Sequence, residues 1–196
     1  KIYRAGRYGV GPNTVKSLHA LGYKIDTSVV PEQSYKHEGG PAFFGIPNTP
    51  YWLDSEQSIL ELPLTSGFVG HLAGRSRTVT DLLFADRDRN AVVRSIMARS
   101  GLIERIRLTP EGTNVHEAKR LVRTLLARGT RVFTLSYHAP SLIPGSTPYV
   151  RSIRDLDRFM WWLEDFYSFF FGELRGVSTT ALDVRNIAYR TKNTAR

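Results

Sequence analysis

His138 closes the run Arg131-Val-Phe-Thr-Leu-Ser-Tyr-His138 and is followed at once by Ala139-Pro-Ser-Leu142-Ile-Pro-Gly145. The first residues favour extended chain and the last cannot continue it, so the histidine is expected at a strand terminus. In parallel α/β proteins that terminus is where catalytic groups gather. An imidazole there suits a general acid or base, because its unperturbed pKa of about 6.5 lies near working pH. A second strand end is read at Tyr3-Arg4-Ala-Gly-Arg7-Tyr8-Gly9, where an arginine precedes a glycine-punctuated loop. Ile25-Asp26-Thr-Ser28 places a carboxylate in the next strand. An arginine and an aspartate on neighbouring strands can pair in bidentate fashion, which fixes the guanidinium fork. Taken singly, each residue fits a structural role equally well: a hydrogen-bonded loop histidine, or one half of a salt bridge.

The elements that must position these groups alternate between strand and helix patterns. A strand tail at Ile2-Tyr3 leads through a loop from Arg4 to Pro12 into a helix after Asn13, closed by Gly22. Tyr23 to Val30 reads as a strand ended by Pro31, and Ile59 to Leu64 as a short one with Pro63 near an edge. Residues 31–58 form a long loop rich in Pro, Gly, Ser and Asn. A helix is expected over 78–99, a strand over Ile103–Leu108 and a helix over 113–128 ended by Gly129. Beyond His138, the aromatic stretch Phe159–Phe171 belongs to an amphipathic helix with Ile153, Leu156, Met160, Leu163, Tyr167 and Phe170 on its inner face. A last helix is capped by Ser178 or Thr179. Alternation of this kind implies parallel strands with right-handed crossovers. An open sheet and the latter part of a β/α barrel satisfy it equally.

With 196 residues, 41% hydrophobic and 23% charged, the chain has the make-up of one ordinary globular domain, residues 1–196. The lack of cysteine excludes disulfides, thiolate metal sites and cysteine nucleophiles within the chain, and leaves the compartment open. The net charge of +9 comes mostly from scattered arginines, without the basic cluster and interleaved aromatics of a nucleic-acid groove. A basic face matched to an anionic polymer is the better reading, so no nucleic-acid partner is expected. The aromatic stretch is interrupted by Glu164 and Asp165, so no membrane span is expected. The chain opens on Lys1 inside a strand-like stretch, and residues upstream are expected to belong to the same protein.

In their order and spacing, these segments resemble the polysaccharide deacetylase family, the NodB-homology carbohydrate esterases. Arg4 to Gly9 looks like the family's third motif, Leu21-Gly-Tyr-Lys-Ile-Asp26-Thr-Ser28 like its fourth, and Leu135-Ser-Tyr-His138 like its fifth. Ile59-Leu-Glu-Leu-Pro63 and the Pro144-to-Tyr149 loop also resemble bacterial surface-polysaccharide members. The implied fold is the later part of a distorted β/α barrel with parallel strands, its first strands absent from this chain. The implied reaction is metal-dependent removal of an acetyl group from a glycan sugar. His138 would be the general acid. Arg4 and Asp26 would be the pair that orients the base, and the Arg7 N–H would stabilise the oxyanion beside Tyr8. Leu142 would line the acetyl-methyl pocket. Gly6 and Arg7 stand where the family has proline and an aromatic residue, and Ser136 replaces an apolar one.

The resemblance implies a divalent metal, with zinc expected, in the complete domain. This chain has neither the adjacent aspartates of the family's first motif nor the paired histidines of its second. His19, His37, His71, His116 and His138 are never three or four apart, so no metal ligand is assigned within it. His71 reads as a loop histidine, and Asp86 and Asp88 as solvent-facing. The expected chain therefore carries acid and orienting groups without a metal. Its open sheet edge would be covered by a partner segment or a second copy. The alternatives are a non-catalytic deacetylase-like domain that binds carbohydrate or protein, and an unrelated basic α/β module that binds an anionic ligand.

Overall fold

A computed structural model describes residues 1–11, 13–73, 84 and 91–194. Among them the chain is mixed α/β, with five α-helices and two small sheets and no closed barrel. The first sheet runs β1 (Ile2–Tyr3), β2 (Ile25–Asp26), β4 (Leu60–Glu61), β3 (Tyr51–Trp52), with β1, β2 and β4 parallel and β3 antiparallel to β4. The second pairs β5 (Ser66–Val69) with β6 (Glu104–Arg107) antiparallel.

Parallel strands are thus correct for β1, β2 and β4 only. A short reversal between Trp52 and Leu60 forces β3 to run against β4. At β5 the chain leaves and returns at the same sheet end, because His71 and Leu72 N–H bond to the Gly101 and Leu102 carbonyls. Gly70 (φ 110°) makes this crossing possible, since a Cβ there would lie 2.6 Å from the Leu102 oxygen.

The long expected strands shrink for a related reason. Arg131–Tyr137 carries no ladder, yet it is tied to the ends of the second sheet through Thr65 N–H to Thr134 O (3.2 Å) and Ser136 N–H to Leu108 O (3.3 Å). The Thr65 hydroxyl accepts from Thr134 N–H at 2.8 Å, so a side chain replaces one backbone rung.

Helix α1 (Thr14–Ala20) follows Asn13, whose side chain makes no cap bond, and Gly22 (φ 73°) follows its end. Of the helix expected over 78–99, Phe84 and α2 (Ala91–Arg99) are helical, and the remaining positions, Asp86 and Asp88 included, lie outside the described residues. Helix α3 (Val115–Ala127) starts at a capping box in which Asn114 and Glu117 satisfy each other's backbone N–H groups. Helix α4 (Ile153–Tyr167) has the same device in Ser152 and Asp155 and continues into a π-helical turn, Ser168–Glu173. Helix α5 (Ala181–Thr194) is capped by the Thr180 hydroxyl, one residue beyond the expected Thr179.

The buried face of α4 is the expected one only in part. Leu163 is buried and Leu156 and Phe170 pack against the core. Ile153, Met160 and Tyr167 are exposed, and Phe159, Trp162, Phe166 and Phe169 enter the core instead. Both sets recur at helical spacing, and the face with larger rings wins by packing on Leu121, Val122 and Leu125 of α3 and Ile106 of β6. A smaller core joins Ile25, Leu60 and Leu62 to Val184 of α5. Among the described residues, no helix is long and apolar enough to cross a membrane.

Candidate functional site

The turn after β1, the end of β6 and the segment Ser136–His138 meet around a hollow of about 640 Å³. That volume falls in the range of about 300–1,000 Å³ usual for small-molecule sites. Arg4, Arg7, Tyr8, Tyr35, Arg107, Glu111, Tyr137, His138 and Tyr149 are among its walls.

His138 stands on the rim with its side chain 64% exposed, above a Glu111 side chain that is 6% exposed. The Glu111 carboxylate receives three donors. The His138 backbone N–H reaches Oε1 at 2.9 Å, the His138 ring Nδ1 lies 2.7 Å from Oε2, and the Ser141 hydroxyl donates to Oε1 at 2.5 Å. Ring and backbone of one histidine are therefore fixed by one carboxylate. With Nδ1–H directed at Glu111, Nε2 is the nitrogen left for chemistry. Sequence reasoning missed Glu111, reading Thr109-Pro-Glu-Gly112 as a lead-in to α3. The signal was available, since Glu111 follows a strand and precedes a glycine just as His138 precedes a Pro/Gly loop.

The Gly6–Tyr8 turn forms the opposite wall. Arg7 (φ 51°) and Tyr8 (φ 57°) are consecutive non-glycine residues in the left-handed region, each costing about 1–3 kcal/mol. Their arrangement is held by Ala5 N–H donating to the Ser28 hydroxyl at 2.8 Å and by Arg107 Nη2 donating to the Tyr8 hydroxyl at 2.7 Å. The Tyr8 ring packs on Tyr35, with centroids 4.9 Å apart. Burial pushes the Tyr35 hydroxyl pKa up to about 12, and it makes no hydrogen bond.

The structure corrects two assignments. Asp26 is buried beneath the turn and does not pair with Arg4, which is exposed and reaches Tyr8 Oη at 3.5 Å. In the β1–β2 ladder Tyr3, not Arg4, stands opposite Asp26, and one step along an extended chain changes the face. Asp26 instead accepts a short hydrogen bond from Ser28 and meets Glu61, its ladder partner on β4. Burial, followed by the Asp26 charge, pushes Glu61 up to about 8, and burial raises Asp26 as well. Glu61 Oε1 accepts from Val29 N–H at 3.0 Å, and among the described residues its buried Oε2 has no hydrogen-bond partner.

Leu142 is the second correction. It is 42% exposed at the end of the 3₁₀ turn Ala139–Leu142 and does not line the hollow. That turn directs the buried Ser141 at Glu111 and carries Leu142 outward. Arg4, Arg7, Tyr8 and His138 do share the hollow.

No family model, no curated protein and no solved structure matches this chain. The site therefore rests on its own geometry. Among the described residues, no group of three His, Cys, Asp or Glu stands together to hold a metal ion. His71 is exposed beside a turn.

Proposed function

We propose that this chain supplies the general acid and orienting groups of a carbohydrate deacetylase, a hydrolase that removes an acetyl group from a glycan sugar. The observation that carries the reading is the Glu111–His138 pair on the wall of a sugar-sized hollow, facing the Gly6–Tyr8 turn. The motif resemblance supports it, and with it the finer fold: β1, β2 and β4 as parallel staves of a distorted β/α barrel.

In such a reaction a water oxygen bonds to the acyl carbon, the bond from that carbon to the sugar nitrogen breaks, and the nitrogen takes a proton. His138 Nε2 delivers that proton, with Glu111 fixing the ring and balancing the imidazolium. The Arg7 N–H, on the turn that lines the hollow, stabilises the carbonyl oxygen as charge develops there. Arg4 orients the water-activating carboxylate, which is supplied from outside this chain. The resemblance implies a divalent metal, and the residues present do not fit one. No three-donor group exists among the described residues, and Glu111 is already engaged by three hydrogen bonds. Metal binding is therefore not assigned to this chain. Its partners are a glycan substrate and a partner segment or second copy along the outer edge of β1.

In the product of the complete gene, His138→Ala is expected to lower acetate release from an acetylated glucosamine oligosaccharide by about 10²–10⁴-fold. Zinc content should be unchanged. Loss of zinc with activity would make His138 a ligand and overturn its role as acid. A wild-type protein that binds the oligosaccharide without releasing acetate would favour a carbohydrate-binding module.

A further inference from the structure

Donors dominate the hollow beyond what acyl hydrolysis needs. Arg107, half-buried at the end of β6, donates to Tyr8 Oη at 2.7 Å, and Arg4 reaches the same oxygen at 3.5 Å. A guanidinium can only donate, so this hydroxyl accepts from both and its own proton is free for a further acceptor. The Tyr8 ring lies 5.4 Å from Arg107 Cζ and 5.7 Å from Arg4 Cζ, which holds both forks against the ring. Arg7 adds a third guanidinium on the exposed rim.

The acidic groups of the hollow do not answer these donors. Glu111 is engaged by His138 and Ser141, and Glu38, at the exposed rim, lies 3.1 Å from His37. Among the described residues, none of Arg4, Arg7 and Arg107 forms an ion pair with a carboxylate. A half-buried positive charge without a counter-charge is costly, and an anion held by a guanidinium fork relieves it. The proposed reaction already assigns Arg4 to the outside carboxylate, which leaves Arg107, Arg7 and the Tyr8 hydroxyl for another anion. Tyr137 and Tyr149 give the same hollow apolar ring surface that a neutral part of a sugar can lie against.

We infer that the glycan unit bound here carries its own negative charge, as a uronic acid or a phosphorylated sugar does, and that Arg107, Arg7 and the Tyr8 hydroxyl receive it. This names the substrate class of the proposed deacetylase site and takes from that reading that the ligand is a glycan and that Arg4 serves the outside carboxylate.

Calorimetric titration of the chain tests it with three matched acetylated oligosaccharides: one containing a uronic acid, the same one with its carboxyl reduced to the alcohol, and one bearing a phosphate monoester. At least one charged form is expected to bind about tenfold or more tightly than the reduced form. The tighter of the two identifies the anion. Arg107→Gln should bring that preference within about threefold, and Arg7→Gln should weaken it less, as suits a solvent-exposed charge. Arg123→Gln, remote on α3 and paired with Glu173, should leave it intact. Circular dichroism checks folding, and if Arg107→Gln is unfolded, the exposed Arg7→Gln decides. Equal binding of charged and reduced forms, binding of neither, or a full preference retained by the folded arginine variants would overturn the inference. Acetate release without charge preference would leave the deacetylase standing and remove this inference. Charge preference without acetate release from the complete gene product would do the reverse.

Discussion

Glu111 and Glu61 both follow or end a short strand, and the chain uses them in opposite ways. Glu111 lies at the foot of the hollow and meets an imidazole, a hydroxyl and a backbone N–H, all donors. Glu61 is fully buried beneath the first sheet and meets another carboxyl. The first acts as an acceptor that positions His138. The second keeps a proton, because two adjacent carboxylates away from water cannot both ionise. What a carboxyl does here is set by the single neighbour that the ladder or loop brings to it.

Removing the carboxyl beneath His138 should have the larger effect. In the complete gene product, Glu111→Gln is expected to lower kcat for acetate release by about ten- to a hundredfold, the worth of a hydrogen bond to a charged group. KM should stay near its original value, because the proposed reading assigns binding to the opposite wall. An unchanged kcat would reduce Glu111 to a loop anchor and dissolve the contrast.

The buried member should show itself in stability. Glu61 releases its proton near the ordinary carboxylate value when unfolded but only at about 8 when folded. Between those values the folded state binds more protons than the unfolded state, so stability falls as pH rises from about 5 to 8. Asp26 is shifted in the same direction. Thermal melts across that window should show a declining Tm, and Glu61→Gln, which removes the titrating group at nearly the same volume, should flatten the decline. A decline that persists unchanged in the variant would place its origin elsewhere.

The smallest effect probes the link between the two regions. Ser28 donates to Asp26 and accepts from Ala5 N–H, so it joins the buried pair to the turn. Ser28→Ala should cost about 1 kcal/mol in denaturant unfolding. Glycan affinity should drop only a few-fold, as the Gly6–Tyr8 turn loosens.

Much of the scaffold is legible in the residues. Asn114 and Glu117 announce the start of α3, Gly129 its end, and the Pro/Gly loop after His138 puts that residue at a rim. The inner face of α4 is legible only in part, at Leu156, Leu163 and Phe170, because Met160 and Phe159 belong to two apolar stripes of equal periodicity and only the partner helix chooses between them. Nor is the partner of Asp26, because a two-residue ladder fixes its neighbour by register and a shift of one position exchanges Arg4 for Tyr3. Arg107 escaped notice inside a strand of alternating charge, Glu104-Arg-Ile-Arg107, where nothing in the order of residues says which arginine turns toward the hollow.

The two left-handed residues at Arg7 and Tyr8 set stability against performance. Glycine at Arg7, whose side chain is exposed, would relax the backbone while leaving the Tyr8 contacts to Tyr35 and Arg107 in place. The same exchange would delete a guanidinium from the hollow. A search for thermostable variants would therefore be drawn to this position, and on the proposed reading its winners would be the poorer binders.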